Sequence, residues 1–291
     1  MTNSYSIKKT NMNCSEDIID ICLRAGALVL ENGGETYRTE ETIVRIARSL
    51  GALTVSAFVT PTVIMVSFKD SENNTHTSVH RITIRGTNLE KVDRINTLSR
   101  EITGSMLQTT SCTKIGSGAP VQPSNLSIQE IKNKLLTIEK APCFTKKLII
   151  LMSGFSAAFF ALMFGGNFYD ATIAFVIGFL LRIVLIALEK VTRNTFTVSL
   201  VSGFFTAFLA FLATNIISLI FSPNQIPVSY MQIIVSVLML VVPGIAITNA
   251  MRDMIAGDLV SGTARLFEAF MIAAGLSAGT AAGLLLTGVF L

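Results

Sequence analysis

The feature that most constrains the fold is a series of long apolar runs that begins just after Lys147. The chain is 51% hydrophobic and 14% charged, with a mean hydropathy of +0.59, which is too apolar for an ordinary soluble domain. Membrane-spanning helices are favoured, because the short alternating strands of a β-barrel do not occur here. Five runs approach or exceed the roughly 20 residues that a spanning helix needs. They cover residues 148–166, 168–188, 195–221, 231–249 and 266–291.

The links between these runs predict their orientation, because Lys and Arg near span ends stay on the cytoplasmic side. Basic residues precede the first run and occur in every second link, and the other two links have none. The basic residues are Lys132, Lys134, Lys140, Lys146, Lys147, Lys190, Arg193, Arg252 and Arg265. We therefore expect a multi-pass protein of the cell (inner or plasma) membrane, with its N-terminus in the cytoplasm and its C-terminus outside.

The more polar first half predicts a small cytosolic α+β domain. Helical spacing indicates helices over residues 16–31, 36–50 and 89–106. Two strands are expected within residues 53–68, broken near Pro61, and a third over residues 77–85. A linker rich in Gly and Pro follows, and Ser127 and Glu130 then form the capping box of a further helix.

The predicted fold class is thus an N-terminal α+β cytosolic domain followed by a polytopic domain of five transmembrane helices. The predicted division is a flexible N-terminus at 1–14, the cytosolic domain at 15–108, a linker and juxtamembrane helix at 109–147, and the five-helix domain at 148–291.

Several function classes find no support. The basic residues are mixed with acids, so nucleic acid is not an expected partner. Cys14, Cys22, Cys112 and Cys143 form no C-x-x-C pair and are expected to be reduced thiols. His76 and His80 could share a strand face, but nothing nearby completes a metal site. Neither a metal, a cofactor nor a catalytic residue is predicted.

The fourth apolar run contains Pro243 and Gly244 near its end. Proline lacks an amide proton and disfavours a helical residue before it, so the helix should kink or break there. A broken span can present backbone groups to a solute or ion, whereas the alternative is a tolerated kink without a function.

Charged residues are concentrated in the link that follows this break. They are Arg252, Asp253, Asp258, Arg265 and Glu268. One interpretation is an interfacial charge network that fixes the topology. The other is a vestibule offering both signs of charge to a zwitterionic or dicarboxylic solute.

Arg182 lies inside the second apolar run. A charge at membrane depth costs a few kcal/mol on insertion scales, so such a residue normally faces a cavity or a partner. Arg182 is also close enough to the end of the run for its side chain to reach the surface. Both interpretations stay open.

Two segments together resemble the threonine/serine exporter family. The first has Gly33, Glu35, Arg38 and Glu40 and continues to Phe58-Val59-Thr60-Pro61-Thr62. The second has Pro243-Gly244, Asn249, Arg252-Asp253, Gly257-Asp258, Ser261-Gly262 and Arg265. The resemblance implies export of small amino acids or dicarboxylates. Because the chain ends after five spans, it resembles the larger subunit of the split form, which implies a small separate membrane-protein partner with four or five spans.

The leading hypothesis is a secondary exporter, or exporter subunit, of small polar metabolites such as threonine, serine or small dicarboxylates. Its expected partners are the solute, the small subunit and other copies in an oligomer, with proton or ion coupling. The alternative is a membrane-anchored sensor or enzyme that acts through Glu35, Arg38 and Glu40 of the cytosolic domain.

Overall fold

The structure is a computed structural model that describes residues 2–107, 126–141, 144–192, 194–220 and 227–287. The chain forms two compact units. The first comprises Met1–Cys143 and Thr248–Arg265, and the second comprises Phe144–Ile247 and Leu266–Leu291. Residues 248–265, which the sequence assigned to the transmembrane domain, belong by their contacts to the first unit.

The first unit combines helices with a small antiparallel sheet. Its elements are α1 (Thr2–Glu31), α2 (Thr36–Ser49), β1 (Thr54–Thr60), β2 (Val63–Lys69), β3 (Thr75–Arg81), α3 (Leu89–Leu107) and α4 (Ile128–Lys140). The strands pair in the order β1-β2-β3, with Thr60 opposite Val63 and Val63 opposite Arg81. The predicted three-stranded sheet near the N-terminus is confirmed, while α1 begins well before the predicted start at residue 16.

The core of the first unit lies between one face of the sheet and the helices that pack on it. Alternate residues of β2, namely Ile64, Val66 and Phe68, are buried against the helices. Helices α1 and α2 approach closely at Gly26, where an added Cβ would stand 2.6 Å from Cδ1 of Ile43. A larger residue there would force the end of the Ile43 side chain to move.

Helix α4 also belongs to this core, although the sequence placed it in a juxtamembrane segment. Its predicted capping box is present: Ser127 Oγ accepts from the Glu130 amide at 3.2 Å, and Glu130 accepts from the Ser127 amide at 2.8 Å. Its apolar face, formed by Ile131, Leu135 and Ile138, is buried in the same cluster as β2.

Helices are the only regular secondary structure among the described residues of the second unit. It contains α5 (Lys146–Met163), α6 (Phe168–Leu188), α7 (Thr195–Ile220) and α8 (Tyr230–Leu238). Helices α9 (Gly244–Ile255) and α10 (Leu259–Leu286) each contribute residues to both units. Among the described residues, four helices are long and apolar enough to cross a membrane: α5, α6, α7 and α10.

The predicted fourth span is not one continuous helix. Helix α8 ends at Leu238 and α9 begins at Gly244, so the expected break at Pro243 is confirmed. The intervening residues form tight turns, with the Val241 amide donating to the Leu238 carbonyl at 2.9 Å. The described residues thus contain four long apolar helices, and the broken segment lies between the third and the fourth.

Glycines allow the long helices of the second unit to pack closely. An added Cβ on Gly275 would stand 2.9 Å from the Phe196 carbonyl of α7, and one on Gly279 would collide with the Leu200 carbonyl. The predicted G-x-x-x-G pair therefore lies in a helix interface, where small residues permit the close backbone approach that supports packing in lipid.

Candidate functional site

The site begins at the turn between α1 and α2 in the first unit. Gly33 has φ +92°, a conformation that favours glycine, and the Gly34 amide donates to the Val29 carbonyl at 2.9 Å. Helix α2 then starts after Glu35, whose side chain makes no capping hydrogen bond. The first amides of a helix lack intrahelical partners, so this N-terminus needs an acceptor from elsewhere.

Asp253 on α9 supplies that acceptor from a distant part of the chain. Its Oδ1 accepts from the Thr36 amide at 3.1 Å, and its Oδ2 accepts from the Thr36 hydroxyl at 2.7 Å. The Asp253 side chain is fully buried. A carboxylate at a helix N-terminus is favourable because the helix dipole is positive there. Asp253 therefore caps α2.

Arg265 and Asn249 bind the carbonyls of the same turn. Arg265 Nη2 donates to the Gly34 carbonyl at 3.0 Å, and its Nε lies 3.4 Å from Asp253 Oδ2. Asn249 Nδ2 donates to the Gly33 carbonyl at 2.9 Å. The side chains of Asn249, Asp253 and Arg265 all come from the segment 248–265 and are almost entirely buried. We call Glu35, Thr36, Asn249, Arg252, Asp253 and Arg265 the polar cluster.

Glu35 forms the more exposed side of the polar cluster. It is itself buried, and its carboxylate pairs with Arg252 and, at 3.5 Å, with Nε of Arg38. The hydrogen bond to Glu35 raises the pKa of Arg252 above its usual value. Both arginines remain at least half exposed, so solvent reaches this side of the polar cluster.

Glu40 and Asp258 lie beside the polar cluster. Glu40 Oε1 accepts from the Val59 amide at 2.9 Å. Burial raises the pKa of Glu40, and the nearby carboxylates of Asp258 and Asp253 raise it further, partly offset by the Val59 hydrogen bond. Asp258 caps α10, since its Oδ1 accepts from the Ser261 amide at 3.1 Å.

Two glycines allow the tight connection between α9 and α10. Gly257 ends α9 with φ +94°, and the Asp258 amide donates to the Asp253 carbonyl at 2.9 Å. At Gly262 the two helices touch so closely that an added Cβ would stand 2.9 Å from the Ala250 carbonyl and collide with Met254.

The predicted site residues thus fall into two groups. Glu35, Arg38, Glu40, Asn249, Arg252, Asp253, Asp258 and Arg265 come together in the first unit. Arg182, Pro243, Gly244 and Glu268 belong to the second unit. Sequence reasoning missed Thr36, whose only local signal is its place as the first residue of α2 after an acidic residue.

Arg182 lines a cavity of about 620 Å³ in the second unit. Residues of α5, including Ser153 and Ser156, form the other wall, and Leu240 from the break after α8 completes it. Nε of Arg182 is buried and has no hydrogen-bond partner among the described residues.

The histidines form no metal site in the described part of the chain. His76 Nε2 lies 2.9 Å from Asp70 Oδ2, and no group of three potential metal ligands occurs among the described residues. Cys22 is a free, buried thiol whose pKa burial raises to about 12. Cys112 and Cys143 lie outside the described residues, as does the predicted linker at 109–125.

Comparison with known proteins gives these motifs a context. The threonine/serine exporter family model matches residues 20–115 and 120–287, which include both halves of the polar cluster and the Arg182 cavity. The chain belongs to the threonine/serine exporter family. It is therefore a membrane transporter of that family, and its apolar helices are consistent with this membership.

One relative in this exporter family is the probable succinate transporter subunit YjjP of Klebsiella aerogenes. It is 24% identical over 246 residues, which cover 84% of each chain. No solved structure matches the chain.

Proposed function

We propose that this chain is one subunit of a secondary exporter of small polar metabolites, with threonine, serine and small dicarboxylates as candidate solutes. The family membership supports export. The name of the Klebsiella aerogenes relative, a succinate transporter subunit, supports a carboxylate solute and a second subunit. In this proposal the small partner is a separate membrane protein, and the two subunits assemble into an oligomer. A proton or ion gradient drives transport by this complex.

The observation that carries the proposal is the polar cluster. Both motifs of the family resemblance meet in it, although Glu35 and Arg252 are 217 residues apart in sequence. The segment 248–265 that it fixes is continuous with α10 and, through α9, with the broken helix at Pro243. We propose that the cluster anchors the α9 half of the broken segment, rather than binding the solute, because its buried charges already satisfy one another.

In this scheme the broken segment is the fourth of five crossings. Residues 231–249 would cross the membrane as two half-helices interrupted before Gly244, an arrangement that transporters use to expose backbone groups to a solute. Five crossings agree with the alternation of basic links, which supports a cytoplasmic N-terminal domain and a C-terminus outside.

The geometry gives no support to a sensor or enzyme that acts through Glu35, Arg38 and Glu40. Glu35 is buried and paired, and Glu40 accepts from the backbone of Val59. These carboxylates are therefore occupied within the first unit.

Reconstitution tests the proposal. The full chain and its small partner are placed in proteoliposomes loaded with labelled succinate, threonine or serine, and efflux is measured with and without a proton gradient. Efflux of at least one solute above that of empty liposomes is expected. Absence of efflux for all three solutes would contradict the proposal.

A further inference from the structure

Arg182 differs from Arg252 and Arg265 in having no hydrogen-bond or ion-pair partner among the described residues. It lies on α6, and neither an ion pair nor a hydrogen bond to it is found among the described residues. Asp170, the other charged residue inside α6, lies more than three helical turns away. Asp170 is also occupied, since it accepts from the amides of Asn167 at 2.9 Å and Ser229 at 2.8 Å.

The surroundings of Arg182 are those of a binding pocket. The cavity of about 620 Å³ falls within the usual size range of small-molecule sites. Its walls are mainly apolar, formed by side chains such as Phe144, Met152, Phe160 and Leu185. Ser156 adds a hydroxyl that has no hydrogen-bond partner among the described residues, and Arg182 is the only charged residue in the described lining.

Arg182 is partly buried, and its Nε is shielded from solvent without a hydrogen-bond partner among the described residues. A cation without a counterion is costly in an apolar setting, and an anion that brings its own oxygens reduces that cost. The planar guanidinium donates two parallel hydrogen bonds to a carboxylate, which makes a carboxylate the best-matched ligand. We infer that this cavity is the solute site and that Arg182 binds a single carboxylate of the transported molecule. This inference rests on the proposed function and specifies the chemistry of its solute.

The single charge in the described cavity lining limits how many carboxylates of the solute can be neutralised there. One arginine neutralises one carboxylate, and the remaining described walls offer apolar groups and the Ser156 hydroxyl, while the Ser153 hydroxyl donates to the Ile149 carbonyl at 2.8 Å. A dicarboxylate would therefore bind through one end, with its other carboxyl group protonated or directed towards water. A monocarboxylate with a small neutral body fits the cavity equally well.

The position of the cavity agrees with an exporter that collects its solute inside the cell. The lining residues of α5 begin at Leu148, near its N-terminal end, and extend to Phe160, while those of α6 lie in its C-terminal half. The basic residues at those ends, Lys146, Lys147 and Lys190, are the ones that predict a cytoplasmic location. Leu240 brings the break after α8 to the same cavity, so movement of the broken helix would change its shape.

Equilibrium binding to the purified complex of the full chain and its partner tests this inference. Labelled succinate is displaced by unlabelled succinate, by monomethyl succinate with one carboxylate, and by dimethyl succinate with none. We expect succinate and monomethyl succinate to compete and dimethyl succinate to fail. Arg182→Gln should weaken both competing ligands at least tenfold, as expected for loss of a charged hydrogen bond, and Arg182→Lys should have an intermediate effect.

Lys190→Gln is the matched control, because it removes a positive charge from an exposed residue just beyond the end of the same helix. Its affinities should stay within twofold of the unsubstituted chain. Efflux from proteoliposomes is measured in parallel. Binding without efflux would reject the proposed function and keep the carboxylate site, whereas efflux with unchanged affinity in Arg182→Gln would reject the site alone.

Three further results would overturn the inference. The first is absence of binding of all three succinate compounds to the unsubstituted complex. The second is loss of co-purifying partner in Arg182→Gln with unchanged succinate affinity, which would assign Arg182 to the subunit interface. The third is loss of bound anionic lipid, measured by native mass spectrometry, with unchanged succinate affinity, which would assign it to a lipid headgroup.

Discussion

The two units use arginine in opposite ways. In the first unit, Arg265 is buried against Asp253 and the Gly34 carbonyl, so its charge stabilises a local structure. In the second unit, Arg182 lines a cavity and has no partner among the described residues. The comparison teaches that a dense group of charges can be structural because its members satisfy one another, whereas an isolated charge among apolar residues points to a ligand.

The largest effect is expected for Asp253→Ala. This change removes the cap of α2 and leaves Arg265 without its buried counterion, which costs about 3–5 kcal/mol in comparable pairs. Hydrogen exchange at the Thr36 amide and the apparent Tm of the full chain in detergent measure the loss. Asp93→Asn, which alters an exposed residue paired at 3.9 Å with Arg100, should leave both unchanged. Equal protection of Thr36 in both variants would show that the cluster is not structural.

The contrast between the two arginines gives the next largest effect. Arg265→Gln should lower stability by about 3 kcal/mol, because a buried carboxylate loses its partner. Arg182→Gln should not lower it, since no hydrogen bond or ion pair to another described residue is lost. Thermal unfolding of both variants in the same detergent measures the difference. A similar loss of Tm in both would remove the distinction between structural and ligand-binding arginine.

A smaller effect is expected where α9 and α10 touch. Gly262→Ala places a methyl group against the Ala250 carbonyl and Met254, so overpacking should cost about 1–3 kcal/mol. Gly104→Ala in α3 is the matched control, because an added Cβ there meets nothing within 4 Å and alanine favours helix. Tm should fall in the first variant and stay or rise in the second. The opposite order would contradict the close contact.

The smallest effect concerns the pH dependence of Glu40. Its pKa is raised in the folded chain, so the folded state holds the proton more tightly and stability falls as pH rises from the usual pKa of a glutamate through the folded pKa. Glu40→Gln keeps an oxygen for the Val59 amide and removes the charge beside Asp258. Its Tm should decline less than that of the unsubstituted chain over this interval. Parallel pH profiles would show that Glu40 does not titrate as proposed.

Local patterns were sufficient for much of the fold. The break at Pro243, the capping box at Ser127 and the G-x-x-x-G contact at Gly275 each depend on a few neighbouring residues. The first helix was predicted too short, because its initial residues lack an apolar periodicity.

The long-range contacts could not be predicted in the same way. Nothing near Asp253 indicates that its partner is Thr36, which lies 217 residues earlier. The charged link after α9 was open to two interpretations, because a list of charges does not show which of them pair. For Arg182, the sequence suggested a cavity or a surface position, and only the packing of α5 against α6 places it in a cavity.

The capping of α2 by Asp253 has a consequence for biosynthesis. The N-terminal part of the first unit is translated first, yet its helix α2 is capped by Asp253, which is translated 217 residues after Thr36. We expect the unit to stay incompletely ordered at the Gly33–Gly34 turn until the segment 248–265 has emerged. In a fragment that ends at residue 125, we expect this turn to stay incompletely ordered. In the full chain, an ordered turn would indicate that the segment 248–265 has folded against it.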